Sequence, residues 1–253
     1  MSKKEKIENE EGEMNLTGHL RELRNRIIHV ILIFFVAVIA IFNYSQEIVD
    51  YFIQIGVNYG YNFVYLSPSE LFMQYIRVTI IAAIVLIVPV IFFEIWAFIK
   101  PGLRKNENTI VFLAMMMGLG FFVLGVLFAH KIIMPFMLQF YMKINVSDII
   151  EASISVENYV GFIMSNFLIF GCVFEMPVVV TLLTQLGLIN YRILQKARRI
   201  AIVLIFILAA IITPPDVVSQ CLCAGPMILL FEVSVQFSKM ISKRKAKKAQ
   251  ENE

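Results

Sequence analysis

Two acidic residues in basic surroundings are the first candidates for chemistry. Glu22 lies in HLRELRNR, His19–Arg26, and Glu107 closes FIKPGLRKNE, Phe98–Glu107. Arg21, Arg24 and Arg26 surround the first, while Lys100, Arg104 and Lys105 precede the second. A carboxylate accepts an arginine fork through two parallel hydrogen bonds, a geometry lysine cannot reproduce. Two carboxylates on separate elements, each beside the end of a long apolar run, therefore suit a partner that offers two guanidinium groups. Each acid also has a plainer local role. Glu22 can pair with Arg26 at i,i+4, which contributes only about 0.2–0.5 kcal/mol. Glu107 can favour a helix N-terminus through the helix dipole.

Glu175 is an acid of another kind. It sits inside an apolar run, about eleven residues from the basic end, hence roughly 16 Å deep and near mid-membrane. A charge there costs at least ~2.5–3.5 kcal/mol on insertion scales, so the residue must face a cavity or a partner, or carry a proton. Function is the default reading for such a residue. Pro177, two positions on, frees a backbone carbonyl and favours a kink. Glu94 and Glu232 lie nearer the ends of their runs, where reaching water accounts for them. Gln220 is polar and embedded; packing and contact with a partner fit it equally.

Enzymatic signatures do not accompany these acids. The chain contains no GxxxxGK[ST] phosphate loop, no HExxH zinc motif and no GxSxG elbow. His19, His29 and His130 are scattered, and Cys172, Cys221 and Cys223 all fall in apolar runs, where small packing residues are expected. The reading is of a non-enzyme, with no catalytic residue, metal or cofactor and no nucleic-acid partner.

Composition sets the elements that must position the acids. Of 253 residues 59% are apolar, and the mean hydropathy is +0.77, against an apolar share of roughly 45–50% in a soluble domain. Several apolar runs approach or exceed the ~20 residues needed to span a bilayer. In lipid every backbone polar group must pair internally, and apolar runs without strand alternation give helices. The expected fold is all-α, a polytopic membrane protein with six transmembrane helices at about 27–43, 71–99, 109–133, 158–186, 200–212 and 217–237. They form a single membrane domain over 14–238, between a polar tail at 1–13, expected to be disordered, and a basic tail at 239–253.

Details follow from local spacing. Leu16, Leu20, Leu23 and Ile27 form a helical stripe leading into the first span. Ile48, Phe52 and Ile55 mark a short amphipathic helix in the tyrosine-rich segment 43–70, whose tyrosines suit the headgroup layer. Gly118, Gly120 and Gly125 permit close helix packing. Met134–Glu157 reads as an acidic loop and Asn190–Arg199 as a basic one. The run 200–212 is only thirteen residues, or roughly 20 Å against a core of about 30 Å, which implies tilt, local thinning or water entry beside it. Nineteen of the 22 Lys and Arg residues lie before the first span, between spans two and three, between four and five, or after span six. By the positive-inside rule both termini are cytoplasmic.

Several stretches together resemble the TatC family, the multi-spanning receptor subunit of the twin-arginine protein translocase. They are HLRELRNR at His19–Arg26, PVIFFEIWAFIKPGLRKNE at Pro89–Glu107, FEMPV at Phe174–Val178 and TPPDVVSQ at Thr213–Gln220. The resemblance covers about residues 14–240. It implies a curved, cup-like helical wall in the cell membrane rather than a pore. It also implies a cytoplasmic face that binds signal peptides carrying consecutive arginines. Glu22 and Glu107 then look like the carboxylates that hold the arginine pair, and Arg24 matches the basic residue of the N-terminal motif. Phe98, Pro101, Leu103 and Lys105 fall in the loop that shapes the site, and Glu175 looks like the acid of the concave face. Asp216 and Gln220 match the motif by the last hairpin, where family members contact single-span partners that are TatA-like and, in some systems, TatB-like. The resemblance further implies a homo-oligomer within the complex and export of folded cargo driven by the proton-motive force. The rival reading is a secondary transporter of a small solute, which Pro-interrupted spans and a mid-membrane acid would also fit; no internal repeat supports it.

Overall fold

The computed structural model describes residues 3–100, 105–144, 153–213 and 216–250, and the side chains of 18–100, 108, 109, 111–143, 153–213 and 216–244. It consists of α1 (Lys3–Phe42), α2 (Ser45–Asn58), β1 (Asn62–Val64), α3 (Pro68–Ile99), α4 (Lys105–Phe128), α5 (Met134–Ile144), β2 (Ser153–Ser155), α6 (Val156–Phe174), α7 (Met176–Gln185), α8 (Tyr191–Ile212) and α9 (Val217–Gln250). Among the described residues, five stretches are long and apolar enough to cross a membrane: Gly18–Phe42, Pro68–Ile99, Val111–Lys143, Val156–Gln185 and Val217–Arg244. Their outward faces carry exposed Val36, Ile39, Leu86 and Leu229, side chains that suit lipid. The sixth expected span, 200–212, falls in α8, which does not meet that measure because its first turns are basic.

Several helices run further than apolar runs alone suggest. Pro89 lies inside α3 without ending it. The helix after Lys105 passes through a π-turn at Ala129–Ile133 and continues as α5 to Ile144, so the first eleven residues of the expected acidic loop are helix. Pro135 stands two residues past the end of that turn; its missing N–H frees a carbonyl one turn back, a common setting for a helical bulge. Likewise the expected basic loop 190–199 forms the opening of α8, because the Asn190 side chain accepts the Ile193 N–H at 3.1 Å and starts the helix early. The opposite happens at Glu175, where a turn separates α6 from α7 with Pro177 in the new first turn.

The connections at one end are structured. β1 pairs with β2 in parallel, Phe63 opposite Ile154, so the segments 43–67 and 153–155 meet on the same side. α2 packs Val49, Phe52 and Gly56 inward. Tyr61 leaves the headgroup layer expected for it and is buried with Tyr159. Tyr61 is 2% exposed and donates to the Leu138 carbonyl at 2.8 Å; Tyr159 donates to the Phe52 carbonyl at 2.8 Å. Each buried hydroxyl finds a backbone acceptor, which removes the penalty of taking it from water. These rings join Met137, Phe170 and Met227 in the main core, while α1 meets α3 separately through Ala37, Ala83 and Ile87.

Of the three glycines expected at close approaches, two sit at one. A Cβ on Gly125 would lie 2.5 Å from the Phe170 carbonyl oxygen, and one on Gly118 would meet Phe92 and Glu175; Gly120 faces open space.

Glu70 ties this end together. Its carboxylate accepts the Leu66 N–H at 2.6 Å, the Ser155 hydroxyl at 2.5 Å and the Glu157 N–H at 2.9 Å, which fastens the N-terminus of α3 to that of α6. Ser67-Pro68-Ser69-Glu70 has the spacing of a capping box. Replacing Glu70 by alanine strands the Leu66 N–H and the Ser155 hydroxyl and leaves the Glu157 N–H only its 3.1 Å bond to Ser155 Oγ, and the expected result is a thermal midpoint lower by several degrees for the detergent-solubilised protein. Glu70→Gln, which keeps one acceptor oxygen, should fall between. An unchanged midpoint for Glu70→Ala would show these bonds to be dispensable.

Candidate functional site

α1 and α3 lie antiparallel, and their pairing brings two of the sequence motifs together. His19 stacks on Phe98 with ring centroids 4.2 Å apart and planes at 19°. About two helical turns further along α1, Arg26 bridges two acids. Its Nε and Nη2 donate to Glu22 Oε1 at 3.1 and 2.6 Å, and its Nη1 donates to Glu94 Oε2 at 2.8 Å. His29 Nδ1 stands 3.8 Å from Glu94 Oε1. The two carboxylates differ in access, since the Glu22 side chain is 35% exposed and that of Glu94 15%. Both of Arg26's contacts with Glu22 fall on Oε1, so among the described residues Glu22 Oε2 is left open to a further donor.

The neighbouring α3 terminus adds aromatic and cationic surface. Lys100 places its ammonium 4.8 Å from the centre of the Trp96 ring, a cation–π contact worth roughly 0.5–1 kcal/mol at an exposed site. Arg24 is exposed on α1. Pro101 and Leu103 lie outside the described residues. Lys105 and Glu107 belong to the first turn of α4, and their side chains lie outside the described ones. The structure thus brings the α1 motif that carries Glu22 to the end of α3 that carries Phe98, through His19 on Phe98 and Arg26 on Glu94, and leaves the geometry of Glu107 toward them undescribed.

Glu94 is the residue that sequence reasoning passed over. Its place near the end of a run needs nothing beyond access to water, whereas it holds Arg26 across 68 positions of chain. No local spacing signals a contact of that range. Glu232 has a similar history: it pairs with Arg198 at 2.8 Å and ties α8 to α9.

Glu175 sits at the α6–α7 break with both carboxylate oxygens buried and without a hydrogen-bond partner among the described residues. Its Oε2 lies against Gly118, where an added Cβ would stand 2.8 Å away, and Phe92 closes the same space. Asp216 and Gln220 are engaged within the chain. Asp216 accepts the Ser219 N–H and the Tyr141 hydroxyl, each at 2.7 Å, and Gln220 donates to the Phe206 carbonyl at 3.0 Å. Burial opposes charge on Asp216, but the Ser219 N–H and the Tyr141 hydroxyl outweigh it and hold the carboxyl below its usual range. The stability this brings is complete above the ordinary carboxylate range and lost as pH falls through the lowered folded value. Cys172, Cys221 and Cys223 are free.

These features define a polytopic α-helical membrane protein with a charged, aromatic-flanked cluster at one end and an unpaired acid within the bundle. The family model described as Sec-independent protein translocase protein (TatC) matches residues 18–226. The chain is 33% identical over 239 residues to the Sec-independent protein translocase protein TatC of Desulforapulum autotrophicum, covering 93% of this chain and 88% of that one. It is 37% identical over 228 residues to the TatC of Helicobacter pylori strain J99, covering 90% of each. A solved structure titled as the twin arginine translocase receptor TatC superposes with a TM-score of 0.78 at 31% identity, over 88% of this chain and 99% of that one. The chain therefore belongs to the TatC family: it is a membrane-embedded component of a Sec-independent protein translocase and not an enzyme.

Proposed function

We propose that this chain is the twin-arginine signal-peptide receptor and core subunit of its translocase, acting in the cell membrane with both termini in the cytoplasm. The observation that carries the reading is the meeting of the Glu22–Arg26 pair and His19 with the Glu94–Phe98 end of α3. A signal peptide's arginine can take the open Oε2 of Glu22, and the second arginine is assigned to Glu107 on the adjoining helix. Arg26 stays between Glu22 and Glu94 and keeps the first carboxylate in place. His19 and Phe98 give the peptide a flat apolar wall beside the charges. Arg24, Pro101, Leu103 and Lys105 shape the surrounding rim.

The rest of the reading places Glu175 on the concave face of a curved helical wall, where it serves passage of the cargo. Asp216 and Gln220 lie by the last hairpin, where TatA-like and TatB-like single-span subunits would dock. Export of folded cargo would then draw on the proton-motive force, with several copies of the chain in the working complex. Family membership favours this reading over a small-solute transporter.

Crosslinking tests it. A twin-arginine peptide bearing a photoreactive group beside its arginines should attach to α1 near Glu22 and to the 98–107 segment. Changing both arginines to lysine should weaken binding, because an ammonium cannot make the two parallel bonds of a guanidinium. Attachment elsewhere, or equal affinity for the lysine peptide, would refute the assignment.

A further inference from the structure

Far from the Glu22 cluster, α3 carries one basic residue, Arg77, nine positions after Pro68 and thus about 13 Å along the helix. Its guanidinium is held in place without being neutralised. Nη1 occupies the space that a Cβ on Gly161 of α6 would fill, so the absence of a side chain there is what lets the group lie on that helix. The only hydrogen bond described for it is a long one, 3.5 Å to Gln74 Oε1. Gln74 is fully buried. No carboxylate stands within 4.0 Å of Arg77 among the described residues.

An open hollow of about 650 Å³ surrounds this cation. Asn158 and Ser165 of α6 present polar groups to it, with no hydrogen bond of their own side chains among the described residues; Glu157 adds a carboxylate. Ile81 and Phe162 supply apolar wall. The end of α8 closes the hollow with Ile212 and Thr213. That helix therefore stops level with Arg77, while α3 continues for about two further turns. A bilayer matched to the end of α8 brings its headgroup layer to the depth of Arg77 at this face. A guanidinium at such a depth needs an anionic partner or water.

We infer that this hollow binds the headgroup of an amine-bearing zwitterionic phospholipid. The phosphate meets the Arg77 guanidinium, with Asn158 and Ser165 donating to its remaining oxygens. The ammonium meets Glu157, and the acyl chains pass down over Ile81 and Phe162. Charge complementarity selects the occupant, since one fixed cation and one fixed anion match a headgroup carrying both signs. A headgroup with phosphate alone would leave the Glu157 carboxylate facing a second anion. The leaflet is the one opposite the Arg26 end of α1, whichever way the chain is inserted.

Native mass spectrometry of the full chain in mild detergent tests this, with phosphatidylethanolamine and phosphatidylglycerol of identical acyl chains added in turn. The wild type should retain one phosphatidylethanolamine at least fivefold better than phosphatidylglycerol. Arg77→Gln should lower that retention at least fivefold, and Glu157→Gln should abolish the preference while keeping total retention. Equal retention by Arg77→Gln and wild type overturns the site. Equal binding of the two lipids by the wild type overturns the headgroup assignment, as does displacement of lipid by millimolar inorganic phosphate, which marks a free-anion site. Thermal unfolding confirms that each variant is folded. Should Arg77→Gln not fold, Glu157→Gln decides alone, and an unaltered preference in it overturns the proposal.

Discussion

Glu22→Ala is expected to weaken binding of a twin-arginine peptide roughly ten- to a hundredfold, and Glu22→Ala with Glu107→Ala to abolish it. A hydrogen bond to a charged group contributes about 1.5–3 kcal/mol, which is one to two decades in Kd. The lower part of that range applies to Glu22, since a side chain 35% exposed is partly screened by water. The internal contact with Arg26 does not close the site. It occupies Oε1 alone, and Arg26 retains Glu94 at 2.8 Å when a peptide arginine arrives. Loss of Glu22 leaves that Glu94 contact standing, so the variant should fold and keep its thermal midpoint. Glu94→Gln has a different expected signature. It frees Arg26 to engage Glu22 alone, which should weaken peptide binding through competition rather than by removing a contact. The measurement is fluorescence anisotropy of a labelled peptide against the detergent-solubilised protein at fixed salt, because surface electrostatics fade as ionic strength rises. Binding by the double variant equal to wild type would sink the receptor assignment.

The course of the spans was legible where hydropathy alone decides it. Runs such as 71–99 and 217–237 announce helices, and α3 and α9 contain them. Less legible were places where one side chain or one capping group moves a boundary. Asn190 starts α8 before its apolar run, and the helix after Lys105 crosses a π-turn rather than ending. The β1–β2 pairing was invisible because three-residue strands 91 positions apart carry no periodicity of their own. The candidate cluster was half legible. HLRELRNR and the 98–107 segment signal themselves by charge, and the i,i+4 contact of Glu22 with Arg26 follows from helix geometry. That Arg26 also reaches Glu94 depends on the antiparallel register of α1 and α3, which only packing of Ala37 against Ala83 and Ile87 fixes. Small residues at that contact let the two helices approach closely enough for the ion pairs at their ends to form.

Glu175→Gln should reduce export at least tenfold while peptide binding at Glu22 stays intact. The two effects separate because the sites are distinct: one lies at the α1–α3 end, the other at the α6–α7 break. Stability supplies the second readout. An embedded carboxylate without a partner carries a cost of at least about 2.5–3.5 kcal/mol on insertion scales, and among the described residues both Glu175 oxygens are buried and unpartnered. Exchanging the acid for a neutral amide of the same shape lowers that cost, so the thermal midpoint should rise as export falls. A residue kept for packing would show the reverse, with lower stability and unchanged export. Gly118→Val distinguishes position from charge. Its new Cβ would stand 2.7 Å from the Phe92 ring and 2.8 Å from Glu175 Oε2, closer than atoms can approach. Either the ring or the carboxylate must move, at an overpacking cost of about 1–3 kcal/mol. Gly118→Val should therefore lose export with the acid still present and with a lower midpoint. Full export in Glu175→Gln would show that no step depends on this carboxylate; full export in Gly118→Val alone would show that its charge matters and its placement does not.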